Sequence, residues 1–184
     1  MTSPRRVVVM GVAGSGKSTV ARVVAQRHGY RFLEGDDFHP AANVAKMAAG
    51  QPLTDDDRRP WLAALCQAMR AEQDVVVTCS ALKRRYRDEL RRAEYVCFLY
   101  LVISPQTALR RVAARHGHFM GRSMVASQFE ALEVPGPDET DVAAIDAEQD
   151  VSSVANDADR ALETLQPLPR LNRPTAHEGF GDCC

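Results

Sequence analysis

The residues Gly11-Val12-Ala13-Gly14-Ser15-Gly16-Lys17-Ser18 fit the pattern G-x-x-x-x-G-K-[ST], with a β-branched run before them and a helix-like segment after them. That spacing has one chemical use. Glycines let the backbone turn so that successive N–H groups point inward, and the helix that follows adds positive potential at its N-terminus. A lysine then neutralises the outer phosphates of a nucleotide, and a hydroxyl ligates the accompanying Mg²⁺. Gly11 to Gly16, Lys17, Ser18 and the adjoining Thr19 are therefore expected to bind ATP, with Ser18 on the metal and Lys17 on the transferring phosphate. An Asn-Lys-x-Asp element, which guanine-specific proteins need, is missing, and the run Val75–Cys79 ends in Cys79-Ser80 rather than in an acidic pair. Both facts argue against a switch or a motor and for a small kinase.

A kinase must also orient an acceptor hydroxyl and keep water away. Three stretches suit that task. In Glu34-Gly35-Asp36-Asp37-Phe38-His39-Pro40, Asp36 can take the acceptor's proton or hold its hydroxyl, and Glu34 can reach a metal-bound water. The same segment also reads as a capped turn. In Ser80-Ala81-Leu82-Lys83-Arg84-Arg85-Tyr86-Arg87, cations crowd a helix start, where the dipole disfavours them unless an anion is bound. Lys83 and Arg87 stand at i, i+4 and can share a carboxylate, whereas Arg84 and Arg85 fall on the solvated face. From Arg111 to Arg122, Arg111 and Arg115 lie one turn apart before a glycine-flanked segment that suits a mobile lid. His118 in that segment reads more simply as structural.

Positioning these residues requires a parallel sheet. Strand-like runs at Arg6–Met10, Tyr30–Leu33, Val75–Cys79, Val96–Ile103 and Val142–Ile145 alternate with helix-like segments. The helices are expected at Ser15–His28, Ala41–Ala49, Arg58–Ala71, Lys83–Arg92, Pro105–Arg115, Met124–Leu132 and Val151–Leu165. Trp61, Leu65 and Met69 recur at i, i+4, i+8, with Asp55–Asp57 supplying cap and charge and Pro60 in the first turn. Strands that are apolar throughout are covered on both faces, which gives an α/β fold of three αβα layers. The loops at the carboxyl ends of such strands face the ligand.

The chain has 184 residues, enough for one domain with its own core, here 1–166 with a lid at about 116–123. Prolines and polar residues from 167 to 184 suggest a disordered tail. A net charge of -1 provides no basic field for nucleic acid or an anionic membrane. The longest apolar run, Tyr95–Ile103, is strand-sized, and the apolar stretch after Arg5 and Arg6 enters a glycine loop rather than a cleavage site. Cys66, Cys79 and Cys97 lie in apolar surroundings without metal-ligand spacing, which suits reduced thiols in the cytoplasm; Cys183 and Cys184 are expected to be exposed.

Taken together, these blocks resemble the gluconokinase family of small P-loop carbohydrate kinases. The likeness rests on Met10–Thr19, Gly35–Pro40 with Asn43 and Lys46-Met47, Gly50–Leu62, Cys79–Lys83 with Tyr86–Asp88, Gly117–Met120 and Ser127–Glu133. It implies a nucleoside-kinase-like P-loop fold with a five-stranded parallel core, a lid and often a homodimer. It further implies ATP- and Mg²⁺-dependent transfer to the 6-hydroxyl of D-gluconate, giving 6-phosphogluconate for the pentose phosphate route. By position, Arg111 should stack on adenine and Arg115 belong to the lid. Asp36, His39, Arg58, Lys83 and Arg87 should face the sugar acid, with Asp36 as general base. Glu34 stands where related kinases place Asp. A shikimate-type kinase shares the fold and a carboxylate-bearing polyol substrate, but the Gly35–Pro40 and Ser80–Lys83 blocks argue against it. A nucleotide-binding regulator without catalysis is opposed by the presence of both Lys17 and Asp36.

Overall fold

The computed structural model describes residues 5–114 and 121–165. Arg115, His118, most of the expected lid and the tail with Cys183 and Cys184 lie outside these residues. The elements run β1 (Arg5–Met10), α1 (Lys17–His28), β2 (Arg31–Leu33), a 3₁₀ turn (Gly35–Phe38), α2 (Ala41–Ala48) and α3 (Asp55–Ala71). They continue with β3 (Asp74–Thr78), α4 (Arg84–Arg91), β4 (Val96–Val102), α5 (Pro105–Ala114), α6 (Gly121–Ala131), β5 (Val142–Asp146) and α7 (Val151–Thr164). The five strands form one parallel sheet in the order β2-β3-β1-β4-β5. No helix of the described residues is long and apolar enough to cross a membrane.

The two-residue period of β1 assigns its side chains to the two sides of the sheet. Val7 and Val9 meet Val20 and Val24 of α1 and Val154, Ala158 and Leu162 of α7. Val8 and Met10 meet Trp61, Leu65 and Met69 of α3 and Leu90 of α4. The strand is buried from Arg6 to Met10, which is why its sequence shows an unbroken apolar run rather than alternation with polar residues. Because β1 is central and its neighbours β3 and β4 lie on opposite sides, the loop after β1 opens at the point where the strand order reverses.

Several boundaries differ from expectation for local reasons. Helix α1 begins at Lys17, not Ser15, because Gly16 takes a left-handed conformation (φ 91°) as its N-cap. Helix α3 begins at Asp55, not Arg58. Thr54 is the cap, its hydroxyl accepting from the Asp57 amide while the Asp57 carboxylate accepts from the Thr54 amide. Pro60 therefore sits in the second turn, not the first. It and Asp56 both face solvent, so water can satisfy the carbonyl that Pro60 leaves unbonded. Lys83, expected as the first residue of α4, is its N-cap. Helix α6 starts at Gly121 rather than Met124, taking the last residues of the expected lid into its first turn.

A buried ionic network fastens α4 to the chain entering β5. The Arg87 guanidinium, 1% exposed, donates to both carboxylate oxygens of Glu139 at 2.7 and 2.6 Å. Arg91 donates to Glu139 at 2.7 Å and to Asp141 at 2.7 and 2.8 Å. Burial pushes the Glu139 carboxyl up, but the hydrogen bonds and charges of the two arginines outweigh it and hold it at about 2.

Candidate active site

The loop after β1 is held by main-chain bonds: Gly11 N–H donates to Ser80 O at 3.3 Å and Ser15 N–H to Val12 O at 3.2 Å. Lys17 Nζ donates to the carbonyls of Gly11 and Val12, both at 3.0 Å, so its ammonium lies over the loop rather than out in solvent. At Gly16 an added Cβ would meet nothing within 4 Å, so this part of the loop has one open side. The Ser15 hydroxyl is buried with no hydrogen-bond partner. An open cradle of amides beside an ammonium and an unsatisfied hydroxyl suits an oxygen-rich anion such as a triphosphate. Ser18, half-buried in the first turn of α1, supplies the hydroxyl that P-loop proteins use for Mg²⁺. No cluster of His, Cys, Asp and Glu among the described residues could hold a metal alone.

Arg111 lies across the loop from α5. Its guanidinium donates to Ala147 O at 2.9 Å and approaches Gly14 O at 3.5 Å. Next to Ala147, Glu148 accepts from Thr107 Oγ1 at 2.6 Å and Ser104 N at 2.7 Å. The Thr107 hydroxyl first, and then Ser104, hold the Glu148 carboxyl at about 2. Arg111 thus bridges the phosphate loop and the turn after β5.

The segment expected to serve the acceptor is the 3₁₀ turn. Gly35 packs so tightly on the end of β3 that a Cβ there would sit 1.8 Å from Thr78 O. Its N–H donates to Thr78 Oγ1 at 2.9 Å, and its carbonyl accepts from Trp61 Nε1 at 2.7 Å. The Thr78 hydroxyl in turn donates to the Glu34 carboxylate. Trp61 also stacks on His39, with ring centroids 4.1 Å apart. The His39 side chain is 5% exposed and that of Asp36 86%, with 4.0 Å between His39 Nε2 and Asp36 Oδ1. His39, expected to face the sugar acid, is turned into the protein and braces the turn that presents Asp36. Burial first, then the positive charge of Arg58, lower the His39 pKa against the opposing pull of Asp36, so the ring is neutral at pH 7.

The thiol of Cys79 is buried just past the end of β3. Burial pushes that thiol up to about 12, which leaves it inert. A cleft of about 320 Å³ has Thr54, Asp55, Arg58, Lys83, Tyr86 and Ser127 as its polar wall, with Leu53 and Leu82 among its apolar lining. Arg58 donates to the Leu53 carbonyl. Lys83 Nζ lies 3.1 Å from Asp55 Oδ1, and Arg85 and the Tyr86 hydroxyl also bond to Asp55.

Arg87, expected like His39 to face the sugar acid, is buried away from this cleft, as His39 is. Beyond Glu139, its Nη1 donates to the carbonyls of Ala81 (3.2 Å) and Glu133 (3.1 Å). Sharing a helix face with Lys83 does not help, because that face turns into the core at Arg87. Its work is to hold the loop in which Ala81 adopts φ 44°, a conformation rare for a residue with a Cβ. Arg84 and Arg85 are exposed as expected, yet each is paired, with Asp138 and Asp55. Sequence reasoning assigned Asp55 only to a helix start, although it is the carboxylate that organises the cleft cations. It also missed Gln128, whose Oε1 accepts from Ala13 N–H at 2.6 Å. Neither partnership has a local signal, since both depend on elements distant in the chain.

Comparisons with known proteins agree with this geometry. A model of the AAA domain matches residues 7–135. The gluconokinase of Gluconobacter oxydans is 51% identical, over 74% of this chain and 79% of its own length. The thermoresistant gluconokinase of Escherichia coli is 47% identical, over 80% and 87%. The crystal structure of a gluconokinase from Sinorhizobium meliloti superposes with a TM-score of 0.82 at 44% identity, covering 89% of this chain and 94% of that one. The matches cover about three quarters of the chain or more, and it belongs to the gluconokinase family of P-loop kinases.

Proposed function

We infer that this protein transfers the terminal phosphoryl group of ATP to the 6-hydroxyl of D-gluconate, giving 6-phospho-D-gluconate. The observation that carries the reading is the cleft holding Arg58 and Lys83, whose wall helix α3 also bonds the turn of Asp36 through Trp61. A polyol acid needs cations for its carboxylate, hydrogen-bonding groups for its hydroxyls and one exposed carboxylate at the reacting end. In this reading Arg58 and Lys83 bind the carboxylate of gluconate, and Asp55, Thr54 and Ser127 meet hydroxyls. Asp36, on its braced turn, accepts the proton of the 6-hydroxyl as the oxygen attacks phosphorus. Lys17 and the loop amides take up charge on the phosphates and ADP leaves. Ser18 would hold Mg²⁺ together with the phosphates, and the ion would supply further charge neutralisation. Arg111 lies against adenine, the role that the family resemblance gives it.

The product would enter the pentose phosphate route in the cytoplasm, and the active unit is a homodimer, which light scattering tests. The substrate assignment is tested by kcat/KM for D-gluconate, shikimate and nucleoside monophosphates with purified protein. Gluconate should be preferred by orders of magnitude; a preference for either of the others overturns the assignment. ATP turnover that gluconate does not stimulate would instead indicate a nucleotide-binding regulator.

A further inference from the structure

We propose that Gln128 is a positioning residue for nucleotide binding, setting the shape of the phosphate loop from α6 through its bond to Ala13. The proposal rests on the loop's being the ATP site. The bond joins residues 115 positions apart, is 2.6 Å long and is made by a half-buried side chain. The other ties of the loop are the main-chain bonds of Gly11 to Ser80 and Ser15 to Val12, Lys17 Nζ on the Gly11 and Val12 carbonyls, and Arg111 approaching Gly14 O. Gln128 adds a further tie, from α6, and it engages a loop N–H with a side-chain oxygen. With Ala13 N–H directed at a glutamine oxygen, it is committed to the protein, while the loop stays open at Gly16.

The same helix serves the other substrate. Ser127 and Ala131 line the acceptor cleft. Just past its end, Glu133 N–H donates to Leu82 O at 2.8 Å, while its carboxylate accepts from Arg84 N at 2.7 Å. One rigid helix thus contacts both sites at neighbouring residues, and a change of its tilt moves the acceptor wall and the phosphate loop together.

Two variants separate the hydrogen bond from mere packing. Gln128→Met keeps the length but removes the acceptor; Gln128→Glu keeps the acceptor and adds a charge that salt screens in part, so its binding is followed at rising ionic strength. Mg·ATP binding by calorimetry, KM for both substrates and the Ala13 amide resonance are compared. Gln128→Met should weaken Mg·ATP binding and raise KM for ATP about tenfold, the order expected for one hydrogen bond, and shift the Ala13 amide proton upfield. KM for gluconate should stay within about twofold, since the cleft walls remain. Gln128→Glu should restore most of the ATP affinity and the amide shift. Unchanged Mg·ATP affinity in Gln128→Met, or equal weakening in both variants, overturns the proposal. If the wild type binds Mg·ATP but does not phosphorylate gluconate, the substrate reading fails while this comparison still decides the role of Gln128.

Discussion

Asp36 and His39 stand three residues apart and have opposite environments. The aspartate carboxylate is 86% exposed, while the histidine ring is stacked on Trp61. Only the first can meet a substrate hydroxyl, so Asp36→Asn should keep Mg·ATP affinity in calorimetry and lose about 10²–10⁴-fold in kcat, the usual range for a general base. Near-normal kcat would remove Asp36 from that role. His39 should titrate below its ordinary 6.5 by NMR, because burial and Arg58 disfavour its cation. Between that lowered value and 6.5 the unfolded chain binds more protons than the native one. The contribution to stability is therefore complete above 6.5 and declines as pH falls through the window. A titration midpoint above 6.5 would show that Asp36 dominates instead.

At the scale of elements, the 3₁₀ turn is pressed against β3 and α3. Gly35 is required by contact rather than by its backbone angle: its missing Cβ makes room for the Thr78 carbonyl. Gly35→Ala must push the turn off the strand end, with roughly 1–3 kcal/mol of destabilisation typical of overpacking. Because the turn carries Asp36, kcat should fall along with the urea midpoint. A variant with wild-type midpoint and kcat would show that the turn relaxes at no cost. The elements themselves were legible in the sequence wherever one period dominated. The buried run of β1 and the i, i+4, i+8 stripe of Trp61, Leu65 and Met69 led directly to the layers. The starts of α1 and α3 were not, because Gly16 and Thr54 act as caps through backbone angle and hydrogen bonding rather than through hydrophobic spacing.

Across the whole molecule, the Arg87–Glu139–Arg91–Asp141 network closes the α4 side of the sheet onto β5. Glu139→Gln leaves the buried Arg87 without its countercharge and should cost about 3–5 kcal/mol in denaturant unfolding. The wild type carries a related pH dependence. With the Glu139 carboxyl held at about 2 against an ordinary 4.5, its stabilisation is complete above 4.5 and is lost as pH falls towards 2. The variant should show a shallower loss over that window; an equal slope in both proteins would assign acid unfolding to other carboxylates.

The phosphate loop, the order of strands and helices, the apolar layers and the family were determined by the sequence itself, because each depends on spacing along the chain. Which cations face the cleft was decided only by tertiary structure. Lys83 and Arg87 are equivalent by helical spacing, yet Glu139, some fifty residues on, draws Arg87 into the core and leaves Lys83 at the cleft wall. The bond of Gln128 to Ala13 is of the same kind. Partnerships of this sort arise where the folded chain brings distant segments together, and burial, which decides whether a charge meets a ligand or an internal partner, is a property of the packed molecule.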